Sequence, residues 1–171
     1  MKAWFVKTWL MKTWLAGLFK RPSPVVEAAQ PRDAGRIAQL HAASFHRGWG
    51  ESDVEQLIAE RNVLAQCLRL KRTVIGFVIS RLAADEAEIL TIALDASCRG
   101  RGLSRTLLAT HLGHLAGRGI RKVFLEVEEN NEAAVRLYRR AGFGTVGRRE
   151  QYYRGANGQL LNALVMQRDL S

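Results

Sequence analysis

Residues 88 to 128 constrain the fold most. Glu88 to Leu94 has the pattern of an apolar strand, and Arg99-Gly100-Arg101-Gly102-Leu103-Ser104 is a glycine loop. Leu103, Leu107, Leu108, Leu112 and Leu115 then recur at helical spacing until Gly117-Arg118-Gly119, and Lys122 to Glu128 reads as a second, nearly continuous apolar strand. Strand, helix and strand in that order make a crossover, and crossovers join parallel strands. A chain with this unit builds an α/β layer.

The flanking segments extend the same sheet. Val25 to Ala28 is a candidate first strand, and Asp33 is placed to cap a helix carrying Ile37, Leu40, Ala43 and Ser44 on one face. Ser52 and Glu55 have the spacing of a capping box ahead of Leu57-Ile58. Val63–Leu70 and Thr73–Leu82 read as a hairpin turning at Lys71-Arg72. Asn131 to Ala141 reads as a helix stopped by Gly142, followed by a hairpin of Val146–Tyr152 and Leu160–Asp169 around Gly155-Ala156-Asn157-Gly158. The expectation is one α/β (α+β) domain over residues 23–171: a mixed central sheet of six to seven strands with about four helices. A chain of 171 residues has room for one such core.

The N-terminal segment differs in kind. Residues 1–22 hold Lys2, Lys7, Lys12, Lys20 and Arg21 with no acid, so half of the formal charge of +10 sits there. Its Lys-x-Trp repeat at Trp4, Trp9 and Trp14 has a five-residue period, which scatters lysine and tryptophan around a helix instead of separating them. The uncharged run after Lys12 is too short for a signal-peptide core or a membrane span, and Met11 offers an alternative start. A flexible tail with no membrane role is expected, joined at Arg21-Pro-Ser-Pro24. Cys67 and Cys98 form neither a disulfide framework nor a metal-ligand cluster, so a cytoplasmic protein without a metal is expected.

Three features carry chemistry. Gly100 and Gly102 ahead of a helix expose backbone N–H groups at a positive dipole end, and Arg99, Arg101 and Arg105 surround them, which suits a pyrophosphate such as that of coenzyme A. A Walker loop is excluded because no Gly-Lys-Ser/Thr follows. A dinucleotide loop ranks lower because Arg105 stands where its third glycine belongs. Glu126 lies between Leu125 and Val127 on an apolar strand; it is either a salt-bridge partner of one of the many arginines or a general base. Tyr138 is either a core aromatic or a phenol able to reach a leaving thiolate. His111 and His114 are expected on the solvated side of their helix.

Together these residues resemble the GCN5-related N-acetyltransferase (GNAT) family, and within it the RimI type that acetylates the N-terminal amine of a small-subunit ribosomal protein. The likeness runs from residue 24 to residue 169. Arg99, Gly102 and Ser104 match the family's pyrophosphate loop, with Ser104 in place of glycine or alanine. The resemblance implies acetyl-CoA as co-substrate, held by Ile92, Ala93 and Leu94 through backbone groups of a splayed strand, by Gly100, Arg101, Gly102, Leu103, Ser104 and Arg105 at the pyrophosphate, and by Asn131. It further implies Glu126 as proton acceptor and Tyr138 as proton donor. Trp49, in Gly48-Trp49-Gly50 where Pro-Trp is common, and Tyr153 are the expected walls of a peptide entrance.

The expected reaction is acetyl transfer to a protein N-terminus, with a ribosomal small-subunit protein as partner and no specific DNA partner. Two rivals stand beside it. The same fold can acetylate a small amine, and the basic surface suits a ribosome- or RNA-binding module with residual coenzyme affinity. Polyamine binding favours an acidic entrance, which residues 45–55 and 150–158 do not supply, and RNA binding favours basic patches with exposed aromatics, which the tail has and the domain lacks.

Overall fold

The computed structural model describes residues 23–45, 47–155 and 158–170. The tail expected at 1–22 and the middle of the 155–158 turn lie outside the described residues. The elements are β1 (Val25–Ala28), α1 (Ala34–Ala42), α2 (Glu51–Ala59), β2 (Val63–Leu70), β3 (Thr73–Ala83), β4 (Glu86–Leu94), α3 (Leu103–Gly117), β5 (Lys122–Glu128), α4 (Glu132–Arg140), β6 (Gly144–Arg154) and β7 (Leu160–Asp169). They build one seven-stranded sheet in the order β1-β2-β3-β4-β5-β7-β6. Among the described residues only β4 and β5 run parallel, across the α3 crossover; every other described pair is antiparallel.

Helices cover both faces. The leucine stripe of α3 is buried with Val135 and Tyr138 of α4 against Leu68, Val78, Ile89, Val123, Leu125 and Met166 of the sheet. On the other face Ile37 and Leu40 of α1 and Val54 of α2 pack on Cys67, Phe77, Ile79 and Ala93. Fully burying a side chain such as Leu107 or Leu115 stabilises the fold by about 1.5–3 kcal/mol. The α1/α2 layer reaches the β1–β4 half of its face, and beyond it Phe124 and Glu126 of β5 are half-buried.

Several local expectations are corrected. Asp33 does not cap α1 with its side chain. It is already helical, and its buried carboxylate accepts from the Gln30 N–H at 2.9 Å and from Arg69 Nη2 at 2.6 Å, closing the turn before α1. Ala43 and Ser44 fall beyond the end of α1, and Ala43 is exposed. The box on α2 is shifted: Gly50 stands at its N-cap, and Asp53 accepts the Gly50 N–H at 2.9 Å, so Ser52 and Glu55 lie inside the helix. His111 is fully buried, while His114 three residues on is exposed.

One irregularity marks the parting of the strands at the centre of the sheet. In β4, Ile79 pairs with Thr91 while Ser80 pairs with Ile89, which leaves Leu90 as an extra, bulged residue. The parallel pairing of β4 with β5 ends at Ile89 and Leu125, at the same level. Beyond it β4 stays with β3 to Leu94, and β5 stays with β7 to Glu128. The two strands part in a V.

Candidate active site

The V exposes strand edges in the middle of a sheet. Ile92, Ala93 and Leu94 lie on the parted section of β4, where no partner strand takes up the backbone groups facing β5. Close approach holds this section in place: a Cβ on Gly76 would meet the Leu94 side chain at 2.2 Å and the Ala93 carbonyl at 3.0 Å. Arg36 of α1 clamps its end by donating to the Val74 carbonyl at 3.2 Å and to Asp95 at 2.6 Å.

The glycine loop follows directly. Gly100 and Gly102 adopt φ values of +74° and +75°, a region that side chains other than glycine's disfavour, and a Cβ at either would project into open space. Gly102 is the N-cap of α3, and its carbonyl accepts the N–H groups of Arg105 and Thr106. The preceding N–H groups of the first turn, at Leu103 and Ser104, have no carbonyl within the helix to bond, so they are available to an anion. Arg101 and Arg105 are exposed beside them. Arg99 is engaged otherwise: it donates to the Leu94 carbonyl at 3.3 Å and to Ser44 Oγ at 3.2 Å, tying the loop to the segment after α1.

Glu126 stands at the mouth of the V. Alternation puts Leu125 and Val127 into the α3/α4 core and turns Glu126 to the opposite face, with its side chain 15% exposed. Its Oε1 pairs with Arg149 Nε at 2.9 Å. Tyr152 hydrogen-bonds the same carboxylate, which raises the phenol's pKa, and the Arg149 guanidinium lies 5.1 Å from the Tyr152 ring centroid. A cleft of about 380 Å³ opens here, lined by Arg81, Glu88, Phe124, Glu126, Arg149 and Val165 among others.

A second bulge brings the aromatic pair in. Between Arg149, opposite Ala163, and Tyr153, opposite Leu161, β6 carries two residues more than β7. Gln151 turns through φ +53°, with its N–H donated to Asn162 Oδ1 at 3.1 Å. Tyr152 and Tyr153 consequently sit edge to face, 5.1 Å apart. Burial and then the Glu126 charge push the Tyr153 phenol up to about 12. Tyr138, buried in the α3/α4 layer and edge-on to Phe143 at 5.8 Å, is pushed far above the ordinary phenol value by burial and by nearby Tyr153. Tyr153 is thus within electrostatic reach of both Glu126 and Tyr138.

The expected residues therefore divide. The parted strand, the loop from Gly100 to Arg105 and Glu126 lie along the V, Tyr153 is coupled electrostatically to Glu126, and Tyr138 is buried in the α3/α4 layer on the other face, coupled to Tyr153. Asn131 caps α4, its Oδ1 accepting the Ala134 N–H at 3.2 Å. Trp49 belongs to an aromatic stack, 4.4 Å from the His41 ring, which also stacks on Phe45, and it packs on the α1/α2 core. Sequence reasoning missed Arg149 and the contact of Tyr152 with Glu126. Strand register alone places them, because Arg149 pairs with Ala163, two residues along β7 from the Val165 that opposes Glu126. Among the described residues no group of three or more His, Cys, Asp or Glu is arranged to hold a metal ion, and no helix is long and apolar enough to cross a membrane.

Comparison with known proteins agrees with this geometry. Residues 34–143 match the family described as Acetyltransferase (GNAT) family. The chain is 37% identical over 153 residues to the N-alpha-acetyltransferase RimI of Mycobacterium tuberculosis, covering 85% of this chain and 93% of that one. It is 29% identical over 146 residues to the [ribosomal protein bS18]-alanine N-acetyltransferase of Haemophilus ducreyi, covering 83% and 97%. The crystal structure of the ribosomal-protein-S18-alanine N-acetyltransferase from Escherichia coli superposes with a TM-score of 0.81 at 26% identity, covering 87% and 95%.

Proposed function

The chain belongs to the GNAT acetyltransferase family, and we propose that it transfers acetyl from acetyl-CoA to the N-terminal α-amine of a protein, foremost the small-subunit ribosomal protein bS18. The observation that carries the reading is the V between β4 and β5, with a phosphate-ready glycine loop at one end and a carboxylate at its mouth.

Acetyl-CoA supplies an activated thioester. In the proposed arrangement the backbone of Ile92, Ala93 and Leu94 would hold the pantetheine arm, and the loop from Gly100 to Arg105 with the first-turn amides of α3 would hold the pyrophosphate. Backbone N–H groups of the parted strand polarise the thioester carbonyl. Glu126 takes the proton of the α-ammonium, whose pKa of about 7.7–8.0 keeps that step small. Tyr138, protonated at every working pH because its pKa is raised, delivers a proton to the departing sulfur. Tyr153 and Trp49 are assigned to the acceptor side. Both cysteines are free thiols, in keeping with work in the cytoplasm, and residues 1–22 are assigned to an appendage outside the catalytic domain.

The test is acetyl-CoA turnover against a panel of N-terminal peptides that includes the bS18 N-terminus, with polyamines as the competing acceptor class. Selective turnover of the bS18 peptide supports the reading, and selective turnover of polyamines removes it. Gly102→Val tests the cradle: a β-branched side chain at φ +75° should weaken acetyl-CoA binding at least tenfold by calorimetry in a folded protein. Unchanged affinity would take the loop out of the site.

A further inference from the structure

Among the described residues, one buried side-chain polar atom has no hydrogen-bond partner: Thr91 Oγ1. Thr91 is 5% exposed, so its hydroxyl carries the cost of lost hydration with no bond from the protein in return. Such an atom calls for an explanation, and an ordered water is one. The fold has not hidden it in a featureless core: Thr91 follows the bulged Leu90, immediately past the last paired residues of β4 and β5.

Register fixes the direction it faces. Thr91 lies opposite Ile79, which packs in the α1/α2 core, so Thr91 is on that face of the sheet. Glu126 is on the same face of the neighbouring strand, the first residue beyond Leu125. Paired strands are about 4.8 Å apart with a rise of about 3.3 Å per residue, so two residues diagonal across a widening gap are separated by about 6 Å or more at the backbone. Side chains of diagonal neighbours at that span are within reach of each other, and since Thr91 Oγ1 makes no direct bond to the Glu126 carboxylate, a water is what would join the two.

We propose that Thr91 is a positioning residue for acetyl transfer: its hydroxyl anchors the water that carries the proton from the acceptor's α-ammonium to Glu126. The inference rests on the proposed reaction and names a component of its first step. The ammonium gives one proton to the water, the water gives one to the carboxylate, and a neutral amine, a carboxylic acid and the same water result. Thr91 holds the water by its hydrogen bonds and ends the step unchanged. The bulge in β4 thereby coincides with the parting of the strands and sets Thr91 on the face that carries Glu126.

Thr91→Val keeps the shape and removes the hydroxyl; Thr91→Ser keeps the hydroxyl. Steady-state kinetics on the bS18 N-terminal peptide from pH 6 to 9, with thermal melting and acetyl-CoA affinity measured for each variant, tests the assignment. Thr91→Val should melt close to wild type, because it keeps the side-chain shape and breaks no hydrogen bond within the protein. Its kcat should fall about tenfold at pH 6.5 with peptide KM within twofold, and the deficit should close as pH passes the amine's own pKa. Thr91→Ser should recover kcat to within threefold. Adding Thr91→Val to Glu126→Gln should cost nothing further, since both act on one proton path. Wild-type turnover with a Thr91→Val enzyme matching it at every pH overturns this assignment and leaves the reaction standing. Wild type inactive on every peptide removes the reaction, and the assignment falls with it.

Discussion

Two polar clusters sit on opposite faces of the sheet. In the first, Ser80 of β3 meets His111 of α3 at 2.7 Å, His111 Nδ1 meets Gln66 Oε1 at 2.8 Å, and Gln66 Nε2 meets His114 Nδ1 at 2.6 Å. In the second, Glu126 pairs with Arg149 beside Tyr152. By composition the first has the look of a catalytic serine–histidine pair, and the second of an ordinary salt bridge. Their surroundings reverse the roles. The amide oxygen of Gln66 accepts, so His111 Nδ1 carries the hydrogen and Nε2 accepts the Ser80 hydroxyl, which uses both ring nitrogens in a site without solvent. Burial holds His111 down to about 3, and the ring stays neutral. Glu126 keeps a route to solvent, and its partner Arg149 is 54% exposed and free to move aside. Saturation and access, more than residue type, separate a structural polar cluster from a reactive one.

The largest effect should follow from Glu126→Gln. Loss of a general base costs about 10²–10⁴-fold, and kcat should fall by that range at pH 6.5 and recover in part toward pH 9, where the amine is already neutral. Melting should change little, since Gln keeps the shape of Glu126 and the partner Arg149 is 54% exposed, where ion pairs are worth about 0–1 kcal/mol. An enzyme within threefold of wild type at every pH would make Glu126 structural and erase the contrast between the clusters.

His111→Ala should show the converse. It strands the buried Ser80 and Gln66 groups and opens a cavity, a loss of about 3 kcal/mol, or roughly 6–12 °C in Tm for a domain of this size. The kcat of the folded protein at 25 °C should stay within twofold. His111 also predicts a pH dependence. Its folded-state pKa lies below its unfolded value of 6.5, so the unfolded chain binds the extra proton. The histidine's contribution is complete above pH 6.5 and drains away as pH falls toward 3, by at most about 1.4 kcal/mol per pH unit. Urea denaturation at pH 7 and pH 5 should show a smaller loss in His111→Ala than in wild type, and equal losses would mean that His111 is not buried neutral.

The same contrast marks what could be read from the chain. The crossover, the glycine loop and the alternation around Glu126 are local patterns, and they place β4, α3, β5 and the carboxylate. His111 escaped because leucines surround it at Leu107, Leu108, Leu112 and Leu115, and the small residues between them do not define a polar side. Arg149 and Tyr152 escaped for another reason. Their meeting with Glu126 depends on pairing across β7 and on a two-residue bulge at Gln151, and nothing in the sequence between Arg148 and Tyr153 announces a non-glycine residue at positive φ. The bulge at Leu90 is equally silent, since Glu88 to Leu94 reads as one unbroken strand.

Tyr138→Phe should have a smaller effect than Glu126→Gln and a different shape. Loss of the phenol should slow transfer about 10²-fold, the low end for general acid assistance, by removing the acid for the leaving sulfur, and the deficit should stay flat from pH 6 to 9. Stability should change little, because the ring stays in place against Phe143. A pH-dependent deficit like that of Glu126→Gln would move Tyr138 onto the amine's proton path.

Arg149→Gln should have the smallest effect, and it probes the second cluster most finely. If Arg149 is an exchangeable partner, it competes with the incoming ammonium for one carboxylate, and each cation holds Glu126 only while the other is away. Removing it should lower peptide KM about two- to fivefold and leave kcat within twofold. The Tm should move by no more than about 2–4 °C, as befits an ion pair worth 0–1 kcal/mol. Salt gives an independent reading: adding it screens the Arg149–Glu126 pair, so peptide KM should fall with salt in wild type relative to Arg149→Gln. The contrary result is a tenfold drop in kcat with unchanged KM. In that case Arg149 fixes the carboxylate as rigidly as Gln66 fixes His111, and the two clusters differ in access alone.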